Sequence, residues 1–90
     1  MILDNIHNHY ERLVLDEVLA YQAKKGTSFD EERLADVVCV ALNHLPARYV
    51  RHSIDIAFYL TVSERDQMDK LVRNAVKDAF ALVTKNPNHA

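Results

Sequence analysis

Residues 49–62 read Tyr49-Val50-Arg51-His52-Ser53-Ile54-Asp55-Ile56-Ala57-Phe58-Tyr59-Leu60-Thr61-Val62. Six of the seven even positions are apolar (Val50, Ile54, Ile56, Phe58, Leu60 and Val62), with His52 the exception. The odd positions mix Tyr49, Arg51, Ser53, Asp55, Ala57, Tyr59 and Thr61. Alternation with a period of two is the pattern of a half-buried strand, and the β-branched and aromatic content suits one. A helix through Val50, Ile54, Ala57 and Phe58 is the competing reading; the alternation favours the strand. The choice decides whether the chain is helical throughout or a set of helices carrying an extended arm.

Outward from this stretch the periodicity changes to that of helices. On the C-terminal side Met68, Leu71, Val72, Ala75, Val76, Ala79, Phe80 and Val83 form one seam, with Ser63-x-x-Asp66 as a cap and Asn86-Pro87 as a stop. On the N-terminal side Leu34, Val37, Val38, Ala41, Leu42 and Leu45 recur at helical spacing. Ser28-Phe29-Asp30-Glu31 matches a capping box before them, and Pro46 disfavours helix at Leu45. A first helix follows from Ile6, Tyr10, Leu13, Val14, Val18 and Tyr21. Lys24 and Lys25 suit its negative C-terminal end, and Gly26, the one glycine of the chain, suits its stop. The expected fold is mainly α, a single domain over residues 1–90 with three principal helices at about 3–25, 29–44 and 64–85 and a short extended arm at about 49–62.

A lone strand poses an accounting problem, because its amide and carbonyl groups need partners and the rest of the chain offers only helices. A hairpin at His52-Ser53 lacks the glycine, asparagine or aspartate that tight turns prefer. Pairing with the same segment of a second copy, antiparallel about a two-fold axis, meets the demand. A homodimer also supplies the burial that a chain of 90 residues lacks. Cys39 is the only cysteine, so no intrachain disulfide can help, and in the run Val37-Val38-Cys39-Val40 it reads as a small buried hydrophobe.

Composition narrows the function classes. The formal charge of −2 opposes nucleic-acid binding by the whole chain. No run approaches the ~20 apolar residues of a membrane span, and Met1-Ile2-Leu3-Asp4-Asn5 lacks a signal-peptide pattern, so a cytoplasmic protein is expected. One glycine excludes phosphate-cradling glycine loops, and neither a nucleophile elbow nor a His-Glu-x-x-His pair is present. His7 and His9, two apart on a helix, would diverge by about 200° and cannot share a metal. No catalytic residue, metal site or cofactor is therefore expected, and the chain does not read as an enzyme. Arg48, Tyr49 and Arg51 sit beside Pro46, and the odd face continues with Asp55 and Tyr59. Arginine can clamp phosphate and stack on a purine, tyrosine can stack, and a carboxylate can accept from a guanine edge. Doubled across a dimer, such a patch could hold an anionic nucleotide; an ordinary solvated strand face is the plainer reading.

The run Ala41-Leu42-Asn43-His44-Leu45-Pro46-Ala47-Arg48-Tyr49 resembles the signature of the late competence development protein ComFB family, an Ala-Leu-Asn-x-Leu-Pro-Pro-x-Tyr core. Asn8-His9-Tyr10-Glu11-Arg12-Leu13-Val14 is similar to the family's first helix, and Asn86-Pro87-Asn88-His89 to its close. The resemblance implies a small bacterial regulatory protein that forms homodimers. Some members hold zinc with four cysteines; residues 24–36 contain none here, so zinc is not carried over. Other members resemble receptors for cyclic di-GMP, which implies binding near Leu45-Pro46-Ala47-Arg48-Tyr49 and relay to a protein partner. In this chain Arg48, Tyr49, Arg51, Asp55 and Tyr59 are the candidate ligand-binding residues. The alternative is a non-catalytic dimeric interaction module with no small-molecule ligand.

Overall fold

The computed structural model describes residues 1–52, 54 and 58–85. Three helices dominate: α1 (Tyr10–Lys25), α2 (Glu31–Asn43) and α3 (Val62–Lys85). A 3-10 turn covers Ile2–Asn5, and two short strands, β1 (His7–Asn8) and β2 (Tyr49–Val50), pair antiparallel. The three expected helices and the short β arm are therefore present. No helix among the described residues is long and apolar enough to cross a membrane.

The bundle is organised about α3. Its buried residues Met68, Val72, Ala75, Val76, Ala79, Phe80 and Val83 meet Tyr10, Val14 and Val18 from α1 and Val37, Val40 and Ala41 from α2. Tyr21 stacks on Phe80 with ring centroids 4.5 Å apart, and Phe29 meets the same ring at 5.4 Å. Arg33 lies over the Phe29 ring at 4.1 Å and donates from Nη2 to the Val83 carbonyl at 3.4 Å. The start of α2 is thus fixed to the end of α3, so these two helices run antiparallel. The Tyr21–Phe80 pair joins the late turns of α1 and α3, which run in the same direction. In consequence the start of α1, the end of α2, the β arm and the start of α3 share one end of the bundle.

Helix ends follow local hydrogen bonding. Gly26 takes the left-handed conformation (φ 68°) and its N–H donates to the Gln22 carbonyl at 2.9 Å, closing α1 as expected. The cap of α2 is Asp30 in place of Ser28: Asp30 Oδ1 accepts from the Arg33 N–H at 2.8 Å. The Phe29 N–H is meanwhile taken by Gln22 Oε1 at 3.1 Å, which keeps residues 27–29 in the turn and delays the helix. The cap of α3 is likewise Thr61, whose Oγ1 accepts from the Glu64 N–H at 3.1 Å and donates to Glu64 Oε1 at 3.3 Å. At the end of α2 the chain leaves the helix at His44, whose Nδ1–H donates to the Val40 carbonyl at 2.8 Å, with Pro46 just beyond.

Four expectations change. The first helix starts at Tyr10, because the chain before it forms the 3-10 turn and β1, and Ile6 is extended (φ −127°, ψ 135°). Among the described residues the arm is strand only at Tyr49–Val50; it bends at Arg51, and Ile54, Phe58 and Tyr59 have helical backbone. The helical alternative for this stretch therefore describes those three residues. The strand also finds its partner in its own chain, with His7 opposite Val50 and Asn8 opposite Tyr49. For Tyr49–Val50 the pairing that the sequence assigned to a second chain is made within one. Cys39 is exposed, because Val37, Val40 and Ala41 turn the opposite side of α2 to the core.

Replacing Phe80 by Ala removes the ring shared by Tyr21 and Phe29 and is expected to cost about 3–5 kcal/mol in urea unfolding; a cost below about 1 kcal/mol would contradict this packing. In the same assay Asp30→Ala should cost about 1 kcal/mol and Ser28→Ala only a few tenths. The reverse order would return the cap to Ser28.

Candidate functional site

Of the candidate residues, Arg48, Tyr49 and Arg51 lie on or beside β2, and the side chain of Asn8 positions that segment. Its Oδ1 accepts two backbone hydrogen bonds, from the Tyr10 N–H at 3.2 Å and the Arg48 N–H at 3.0 Å. The first supplies an acceptor to the otherwise orphaned start of α1, and the second reaches across the molecule to the loop after Pro46. The Arg48 carbonyl in turn accepts from the His9 N–H at 2.6 Å. Both backbone groups of Arg48 are therefore committed, and the residue is held immediately before the β1–β2 ladder.

Along β2, Val50 is half-buried and Tyr49 points outward with 68% of its surface exposed. Arg48 and Arg51 are exposed on either side of it. Neither guanidinium is in an ion pair among the described residues. Arg48, Tyr49 and Arg51, neighbours along the chain, are thus all exposed on one short segment. Tyr59 is 78% exposed on helical backbone, and no hydrogen bond or ring contact joins it to the other three among the described residues. Asp55 lies outside the described residues.

The field of Arg48 is felt locally. His9 has its pKa lowered from 6.5, first by burial, then by repulsion from His7 and from Arg48. Burial raises the Tyr10 phenol above 10, with Arg48 acting in the opposite direction. His7 lies on β1 and His9 caps α1, so the two are not on a common helix as the sequence suggested. No cluster of three or more metal-ligating side chains occurs among the described residues.

Asn8 is the residue that sequence reasoning passed over. An asparagine two positions before the first buried helical residue is a turn and cap signal, because its amide oxygen can take a backbone N–H two residues on. The continuous apolar pattern from Ile6 to Tyr21 masked that signal.

Asn8→Ala leaves two N–H groups without their acceptor and should cost about 1–3 kcal/mol in chemical unfolding. A change within about 0.3 kcal/mol would mean that water replaces Asn8. For His9 a folded-state pKa below 6.5 means that the unfolded chain takes up the proton first. Its contribution to stability is therefore complete above pH 6.5 and is lost as pH falls from there toward the depressed value. A His9→Gln variant should show a shallower loss of stability across that interval; an identical slope would remove His9 as its source.

A comparison of the sequence with curated proteins gives no match. The family model described as late competence development protein ComFB matches residues 7–87, a span that includes both strands, all three helices and Asn8. The chain belongs to the late competence development protein ComFB family.

Proposed function

We propose that the protein is a non-catalytic, homodimeric cytoplasmic regulator that binds cyclic di-GMP at its arm and relays binding to a protein partner. The observation that carries this reading is the set Arg48, Tyr49 and Arg51: two exposed arginines, in no ion pair among the described residues, stand before and after an exposed tyrosine along the chain, on a backbone tethered by Asn8. Guanidinium groups bind phosphate oxygens bidentately and stack on purines, and an exposed tyrosine ring stacks on a base. Fixing the backbone beforehand lowers the ordering cost of binding. Tyr59, and Asp55 by its place in the sequence, would complete the site.

A second copy would cover the apolar end of the molecule. Of the twelve large apolar side chains exposed among the described residues, nine fall in residues 1–6 and 49–62, among them Ile2, Leu3, Ile54, Phe58 and Val62. Exposed apolar surface concentrated in this way marks an interaction site. It also supports the second reading, a dimeric interaction module without a small-molecule ligand, because a protein partner would bury the same side chains.

Calorimetric titration with cyclic di-GMP should saturate at low-micromolar ligand or below. Arg51→Ala should weaken binding by about 1.5–3 kcal/mol, roughly ten- to a hundredfold. A flat trace for the unmodified protein would leave the interaction module as the reading. Light scattering behind a sizing column should give twice the 10.4 kDa of one chain, moving toward that value in Phe58→Asp. A monomer at micromolar concentration would remove the dimer from both readings.

A further inference from the structure

The C-terminal halves of α1 and α3 run side by side at the end of the bundle away from the arm, and a groove lies between them. One stretch, of about 370 Å³, has Lys24 and Lys25 on the α1 rim and Arg73 and Lys77 on the α3 rim, with Glu17 as its single carboxylate at one end. A second stretch of about 640 Å³ shares Tyr21, Lys25 and Lys77 and continues past Phe80 and Ala81. The two form one trough with cations on both rims and an aromatic and alanine floor.

Four cations against one carboxylate stand out in a chain whose net charge is −2. None of the four is in an ion pair among the described residues. Lys24 and Lys25 occupy the last turn of α1, where the helix dipole favours them. That account does not extend to Arg73 and Lys77, which stand mid-way along the 24 residues of α3. In the wall of the same trough the Thr27 hydroxyl oxygen is buried and has no hydrogen-bond partner among the described residues.

The shape selects the occupant. Arg73 and Lys77 are about 6 Å apart along α3, and the trough extends about 16 Å, or three helical turns, from Arg73 toward Thr84. Cations spread along two rims suit a linear ligand better than a single phosphate, which needs them to converge. A single-stranded nucleic acid stacks its bases on open aromatic faces. Here one face of Tyr21 is stacked on Phe80, and Lys25 Nζ lies 5.9 Å from the ring centroid. We propose that the trough docks an acidic amphipathic helical segment of a partner protein. Its carboxylates meet the two basic rims, and its apolar side chains lie on the Tyr21–Ala81 floor. The site is separate from the arm, and the proposal does not rest on nucleotide binding there.

The test is fluorescence anisotropy with a labelled synthetic helical peptide of about four turns, bearing leucines on one face and glutamates on both flanks. A glutamine-for-glutamate peptide and a single-stranded oligonucleotide of equal charge serve as competitors. The acidic peptide should bind in the micromolar range, more weakly as salt rises. It should lose about tenfold in affinity to the Arg73→Glu/Lys77→Glu protein, a change of about 1.4 kcal/mol. Circular dichroism checks that this variant folds, and Lys24→Gln/Lys25→Gln, which should weaken binding less, carries the test if it does not. No binding of the acidic peptide, equal binding by the charge-altered proteins, equal binding of the glutamine peptide or tighter binding of the oligonucleotide would each overturn the proposal.

Discussion

α3 has to satisfy two helices at once, and that constraint sets the rest of the fold. Its valines and alanines at 72, 75, 76, 79 and 83 are small, which lets α1 and α2 both approach closely, while Phe80 fills the space between the rings of Tyr21 and Phe29. No polar or charged residue is buried among the described residues, so the core gains from apolar contact and dispersion without desolvating a charge. α3 carries both neighbours from Met68 onward, and Leu60 just before it also packs against the core. Phe58, Tyr59 and Val62 are left in solvent, each more than three-quarters exposed.

The same constraint separates the two surfaces for which binding is proposed. At the near end the arm is held by a few directional contacts: two hydrogen bonds to Asn8 Oδ1, one from the His9 N–H to Arg48, and a two-residue ladder. Such a segment is ordered yet little buried, which leaves Arg48, Tyr49 and Arg51 available to a ligand. At the far end the helices are packed through aromatic rings, and the charges are confined to the rims. The α3-centred core lies between the two ends and joins them.

Legibility in the sequence followed the strength of the periodic signal. The seam from Met68 to Val83 repeats for more than four turns and could only be a helix; Leu34 to Leu45 was nearly as clear. Gly26 marked its helix end correctly because only the left-handed conformation explains a lone glycine there. The capping positions were misplaced by two residues because Ser28 and Asp30 both precede helix formers, and the Phe29–Gln22 bond that decides between them is tertiary. The stretch 49–62 failed as a long strand for a related reason. Ile54, Phe58 and Val62 satisfy a four-residue step as well as a two-residue one, so the alternation carried less information than its length suggested. The cationic and aromatic residues of the candidate site were proposed from the sequence, but Asn8, which holds the Arg48 backbone, lies forty positions from it.

The central claim is that the arm, held by Asn8, is the ligand-binding surface. The most direct measurement is an amide-resolved nuclear magnetic resonance titration of the isotopically labelled protein with cyclic di-GMP. The account predicts saturable shifts in the amides of Arg48, Tyr49, Arg51 and Tyr59 and in Asn8 behind them, with Thr27 and Lys77 unmoved. No saturable shift at millimolar ligand, or shifts confined to the far end of the bundle, would contradict it.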